Sequence, residues 1–184
     1  MFTFDAGALC LELSSVSGGA GWRARFETLH SPDDLARWAA ASRLGVQVAD
    51  LALTEADLAL VKHLREAVWG RAYGLVTGAA PDARDTATIN EIAGGAPPVP
   101  RIGVDDGRTW RRPITGDQLA AAVARDAVVT LTRPAAGRIR MCAADNCYLI
   151  FLDTSKPGRR RWCSMDRCGN RAKVRGHRQR KETP

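Results

Sequence analysis

Four cysteines dominate what this chain can fold into: Cys142-Ala-Ala-Asp-Asn-Cys147, fifteen residues, then Cys163-Ser-Met-Asp-Arg-Cys168. The pattern C-x4-C-x15-C-x4-C supplies two ligand pairs, each closed by a tight turn, for the four corners of a tetrahedral site. Four residues between paired ligands is the long end of the usual range. Disulfides would need an oxidising compartment, and nothing in the sequence indicates export. A redox pair would prefer CxxC beside a βαβ pattern. Zinc is the first expectation; spacing alone leaves an iron–sulfur cluster and unmetallated thiols open. Four thiolates leave no open coordination position, so one metal ion here holds structure and does no chemistry.

Charge changes at the same place as the thiols. Residues 138–184 hold 13 Lys and Arg against 4 Asp and Glu, a net +9, whereas residues 1–137 carry a net −2. We therefore expect two units, 1–137 and 138–184, with a boundary near Pro134-Ala135-Ala136-Gly137. The fold class expected is α+β: a mainly helical N-terminal domain with short strands and hairpins, then a small four-cysteine zinc-finger domain. No apolar run approaches the roughly 18 residues of a membrane span and no export leader is legible, so the expected location is the cytoplasm.

Within the first unit, Leu9, Leu11 and Leu13 alternate with Cys10, Glu12 and Ser14, and Trp22, Ala24 and Phe26 alternate with Arg23, Arg25 and Glu27. That period of two predicts two strands, joined as a hairpin through Gly18-Gly19. Ser31-Pro32-Asp33-Asp34 is a helix start that turns Leu35, Trp38 and Ala39 inward. Thr54-Glu55-Ala56-Asp57 opens the longest helix, with Val61, Leu64, Val68, Ala72 and Leu75 on its core face and Gly78 and Pro81 ending it. A short helix is expected over 83–92. Asp106-Gly107 predicts a tight type I′ hairpin between Val99–Asp105 and Arg108–Arg112. Thr115 to about Thr132 forms the last helix, with Leu119, Val123 and Leu131 on one stripe.

Enzyme chemistry finds no support. His30 and His63 sit in no nucleophile, metal or phosphate motif, and no GxGxxG or GxxxxGK[ST] loop is present. Trp22, Trp38, Trp69, Tyr73 and Trp110 read as core or interface anchors, and Cys10 as a small buried hydrophobe. We expect a protein that is not an enzyme.

In the second unit, Tyr148–Leu152 predicts a short strand and Asp153–Gly158 a turn. Ser164 caps a helix from Met165 to about Arg180 that carries Cys168 on its first turns and is interrupted by Gly169 and Gly176. Arg171, Arg175 and Arg178, four and three apart, form a self-repelling ridge that a phosphate backbone would relieve. Eight of the eleven basic residues from Lys156 onward are arginine, the better fork for phosphate and guanine edges. Arg159, Arg160, Arg161, Arg171, Lys173, Arg175, Arg178, Arg180 and Lys181 are therefore the expected nucleic-acid contacts. Gly169 would let the backbone approach the metal-bound sulfurs, and Asn170 would support the site from behind by donating to a thiolate or a carbonyl. A solvated basic tail is the plainer alternative.

At Cys168-Gly169-Asn170-Arg171 the sequence resembles the CGNR zinc finger family. The likeness extends over Met141-Cys142, Cys147, Phe151-x-Asp153, Arg160-Arg161-Trp162-Cys163-Ser164-Met165 and Lys173, roughly residues 138–181. In that family the finger follows an N-terminal domain called ABATE, placed among stress-induced transcription regulators, and residues 1–133 resemble it in the order of their elements. The family's opening resembles Leu-Asp-Phe-x-Asn-Thr; here Leu9-Cys10-Leu11-Glu12-Leu13-Ser14-Ser15 lacks the Asp and the Asn-Thr. The resemblance implies one structural zinc on the four cysteines and a DNA-binding role in transcription regulation. Duplex DNA is favoured over RNA because only Tyr148 and Trp162 offer stacking surfaces. An RNA- or ribosome-associated zinc module is the alternative, and a homodimer through the N-terminal domain would double the readout.

Overall fold

The computed structural model describes residues 2, 4–16, 21–132 and 134–175. Among the described residues, five α-helices lie in the first unit. They are α1 (Leu9–Ser15), α2 (Pro32–Ala41), α3 (Glu55–Thr77), α4 (Ala83–Ala93) and α5 (Gly116–Thr130). Helices α3, α4 and α5 pack against one another, and α1 lies across α3 and α5. Local chemistry starts three of the helices. Ser31 with Asp34, Thr54 with Asp57 and Thr115 with Gln118 each form a reciprocal capping box that satisfies two otherwise orphaned N–H groups. Gly78, at φ 76°, ends α3 in the left-handed conformation that glycine adopts without strain.

The inward stripes follow the expected periods, with Trp38, Val61, Leu64, Val68, Ala72, Leu119 and Val123 all buried. Leu75 departs from its stripe and is exposed, in the last turn of the helix.

The expected opening hairpin is not formed. Leu9–Ser15 is helical because its intervening polar residues are buried too: Glu12 is fully enclosed and receives the Arg43 guanidinium, and Ser14 Oγ donates to the Leu11 carbonyl. A strand would have sent those groups to the opposite face from the leucines. Gly21–Phe26 is a 3-10 helix in which Arg23 lies inside while Ala24 and Phe26, expected inward, are exposed. Arg23 goes in because it finds Glu66 and the Trp69 ring there.

Strands are few and short: β1 (Leu51–Ala52), β2 (Pro100–Ile102), β3 (Arg108–Trp110), β4 (Ile114–Thr115), β5 (Ile139–Met141) and β6 (Ile150–Leu152). β1 pairs in parallel with β4, β2 with β3 and β5 with β6 antiparallel. The β2–β3 connection is wider than a type I′ turn. Ile102 pairs with Arg108, so the loop is Gly103–Gly107, and only Asp106 (φ 58°) has positive φ, whereas type I′ needs it at two residues.

One apolar core runs through both units. Phe151, Ile150, Ile139 and the cysteines 142, 163 and 168 join the same buried cluster as α1, α3 and α5. The seam is also stitched by polar contacts: Leu152 N–H donates to the Ala6 carbonyl at 2.8 Å, and Arg167 pairs with Asp5. Among the described residues, no helix is long and apolar enough to cross a membrane.

Candidate metal centre

The β5–β6 hairpin builds the first half of the site. The ladder Ile139↔Leu152, Arg140↔Phe151 and Met141↔Ile150 is extended by Cys142 N–H donating to the Leu149 carbonyl at 2.9 Å, which places Cys142 and Cys147 at the two feet of one turn. Ala143 N–H reaches the Arg161 carbonyl at 2.9 Å and ties this turn to the approach of the second pair. The second half is a widened turn. Met165–Gly169 is π-helical, with Cys168 and Gly169 N–H both donating to the Ser164 carbonyl at 3.1 and 3.0 Å, before ordinary helix takes over at 170–175. Ser164 stands at the N-cap position but its side chain caps nothing, which differs from the expectation. The proposed helix beyond residue 175, with Arg178, Arg180 and Lys181, lies outside the described residues.

The four sulfurs Cys142, Cys147, Cys163 and Cys168 lie within 4.8 Å of one another. Cys147 and Cys163 are 3.8 Å apart, and Cys163 and Cys168 3.5 Å. A tetrahedron with Zn–S near 2.3 Å has edges of about 3.8 Å, so these thiols fit a single zinc. A cluster of several irons would hold its thiolates farther apart. Three of the four cysteines are buried and Cys147 is half-buried.

Donors surround the sulfurs. Cys163 N–H points at Cys142 Sγ (3.4 Å), the Ala144 and Leu149 amides face Cys142 and Cys147, and Arg171 Nη2 donates to Cys168 Sγ at 3.3 Å. The hydrogen bond from Cys163 pulls the Cys147 thiol down to about 5, while the same contact and burial push Cys163 well up; burial also raises Cys142. Zinc takes its cysteines as thiolates, so binding at this site releases protons.

Several expected contacts take other roles in the structure. Asn170 Nδ2 donates to a carbonyl, that of Asp166 at 3.5 Å, one of the two partners expected for it, while its neighbour Arg171 reaches a sulfur. Gly169 makes room for side chains: a Cβ there would stand 2.8 Å from Met165 Sδ and 3.3 Å from Trp162 Cδ1. Arg160 is half-buried and committed. Its Nε donates to the Trp162 carbonyl (2.8 Å), Nη2 reaches the Asp5 (3.2 Å) and Cys163 carbonyls, and the guanidinium lies 4.7 Å over the Phe151 ring. Arg175 pairs with Asp145. Arg159, Arg161 and Lys173 are exposed, with Arg161 5.0 Å over the Trp162 ring.

Two groups escaped sequence reasoning. Asp153 is fully buried, and although burial alone would raise its carboxyl, donors from Ser155 Oγ (2.6 Å), Arg160 N–H (2.8 Å) and Ser155 N–H (3.0 Å) hold it below the ordinary carboxylate range. It fixes the 153–158 turn that delivers Arg160. Asp5, 137 residues before Cys142, had no local signal at all. Elsewhere, His63 Nε2 meets Thr88 Oγ1 at 3.4 Å and His30 is exposed.

Comparison with protein families gives two matches. The CGNR zinc finger model matches residues 138–181. The ABATE model, described as "Putative stress-induced transcription regulator", matches residues 7–134. A search of the curated proteins finds no match to this chain. The zinc-finger match and the clustered sulfurs agree on one structural zinc ion, which braces the turns at 142–147 and 163–168 against each other.

Proposed function

The chain belongs to the ABATE family, and from that premise we propose that it is a cytoplasmic, stress-induced, DNA-binding transcription regulator whose zinc finger presents basic side chains to duplex DNA. The observation that carries this reading is the separation of charge around the metal. Residues 138–184 hold a net +9 and include the four clustered thiols, while residues 1–137 are net negative. Such a surface gains affinity by releasing counterions from the phosphate backbone.

Arg159, Arg161 and Lys173, exposed on the finger, are the phosphate contacts in this reading, continued by Arg178, Arg180 and Lys181. Arg160, Arg171 and Arg175 act differently from the sequence expectation: they hold the finger in shape, since their guanidinium groups already have partners within it. We place the boundary between the units at residues 137 and 138, and a homodimer through the first unit would double the contacts.

The test is fluorescence anisotropy of zinc-loaded full-length protein with labelled random duplex DNA, across salt and with chelator. Log affinity should fall with log salt by about 0.9 for each phosphate contacted, and chelation should abolish binding. No binding at low salt would sink the reading. Displacement of the duplex by equimolar single-stranded RNA would favour the RNA-associated module instead.

A further inference from the structure

A cavity of about 710 Å³ opens between the first unit and the first zinc knuckle. That volume is within the usual range for a small-molecule site. One wall is aromatic: the Trp69 and Tyr73 rings stack at 4.8 Å with 17° between their planes, and Phe26 and Phe2 stand beside them. A second wall comes from the finger, running from Asp145 through Cys147 to Ile150.

Arg23 and Arg25 stand in the lining against one acid, Asp145. Arg23 lies 4.1 Å over the Trp69 ring, is nearly fully buried, and spends Nη1 on Glu66 at 2.8 Å. Its Nη2 is buried with no hydrogen-bond partner among the described residues. A buried guanidinium nitrogen left unpaired is costly, and an acceptor brought by a ligand would remove the cost. The neighbouring charges do not supply one. Glu27 is taken by Arg65 in a two-pronged pair and by Lys62, and Glu66 is shared between Arg23 and Arg65. Lys62 and Arg65 thus compete with Arg23 for the same two carboxylates. Asp145, the one acid in the lining, is engaged with Arg175.

We propose that this cavity binds a small aromatic carboxylate, its ring against Trp69 and Tyr73 and its anionic group on Arg23. Occupancy would also brace the metal centre, because Cys147 belongs to the cavity wall, and Asp145 in the same wall grips Arg175 of the last helix. The N-terminal unit then acts on the finger through a shared wall, whether or not the finger's partner is DNA.

The experiment uses zinc-loaded full-length protein, with indole-3-acetate as probe and indole-3-acetamide as its uncharged counterpart. Calorimetry should show the carboxylate binding at least about tenfold tighter than the amide, the loss expected for one charge-assisted hydrogen bond. Tyr73→Ala, at a partly exposed ring, should keep the far-UV spectrum and zinc content while weakening binding by about tenfold; Arg23→Met should abolish the preference for carboxylate over amide. Saturating indole-3-acetate should slow zinc transfer to a colorimetric chelator about threefold or more. Equal affinity for acid and amide overturns the anion assignment, and so does no heat of binding at about 1 mM probe. Full affinity in a folded Tyr73→Ala protein puts the site elsewhere. Zinc transfer unchanged by bound probe overturns the link to the finger.

Discussion

Arg171 Nη2 donates to Cys168 Sγ at 3.3 Å, so the last residue of Cys-Gly-Asn-Arg grips the sulfur of the first. The same side chain sends Nε to the Arg167 carbonyl at 3.2 Å, and the sulfur in turn raises the guanidinium above its ordinary value. The arginine that periodicity places on a phosphate-facing ridge also touches the metal centre.

Arg171→Ala should weaken zinc binding about 10- to 100-fold, the usual cost of losing a group that supports a ligand. Arg171→Lys should recover part of it, since a point charge restores attraction without the fork that spans sulfur and carbonyl. Competition against a chromophoric chelator reads both. An alanine variant with native zinc affinity would leave Arg171, which is exposed, to the phosphate-facing ridge.

Two glycines should respond differently to a methyl group. At Gly7 (φ 81°) a Cβ would sit 2.7 Å from the Leu152 carbonyl, where β6 docks on the first unit. Both the left-handed backbone and the rigid neighbour oppose it, so Gly7→Ala should cost about 2 kcal/mol or more. At Gly169 the obstacle is the end of the half-exposed Met165 side chain, which can swing away. Gly169→Ala should cost about 1 kcal/mol or less. Chemical denaturation of the two zinc-loaded variants separates these outcomes, and equal losses would contradict the docking geometry.

What the sequence made legible is what local chemistry decides. Ser31 with Asp34 and Thr54 with Asp57 form their capping boxes within four residues, and the helices begin where those boxes stand. Cysteine spacing likewise placed the metal site, because each pair closes over one turn. The opening segment was misread because Glu12 and Ser14 look solvent-facing until Arg43, 31 residues away from Glu12, enters the account. Arginines behave the same way. Nothing near Arg160 in the chain announces Asp5, and nothing near Arg23 announces Trp69. A side chain with five donors takes its meaning from whatever the fold brings to it.

Glu27 is a second long-range partner with a pH signature. Burial would raise its carboxyl, yet hydrogen bonds from Arg65 and the Leu29 amide hold it below the usual range. A depressed carboxylate stabilises the fold above its unfolded value, about 4.3, and that contribution is lost as pH falls through the lower folded value. Glu27→Gln takes the two-pronged ion pair from the buried Arg65, which keeps Glu66, so at neutral pH it should cost about 2 kcal/mol. The gap between wild type and variant should close as pH falls below about 4, measured by denaturation at each pH. A gap that stays constant would show that the Glu27 charge contributes nothing.

The adjacent pair Arg159 and Arg160 offers the sharpest division between binding and folding. Arg159 is exposed, whereas Arg160 ties Trp162, Cys163 and Asp5 together over the Phe151 ring. Arg160→Ala removes a half-buried side chain and leaves several carbonyls short of a donor, so it should lower thermal stability by several degrees, the shift expected for about 2 kcal/mol in a chain of this size. Its effect on DNA affinity should follow only from the fraction of finger that remains folded. Arg159→Ala should leave the melting temperature unchanged and flatten the salt dependence of DNA binding by about one unit of slope. Melting curves and salt titrations on the two variants suffice. Should Arg159→Ala lower stability while Arg160→Ala alters only the salt slope, the division of labour between the two arginines would be reversed, and the contacts of Arg160 with Asp5 and Cys163 would not be what holds the finger to the first unit.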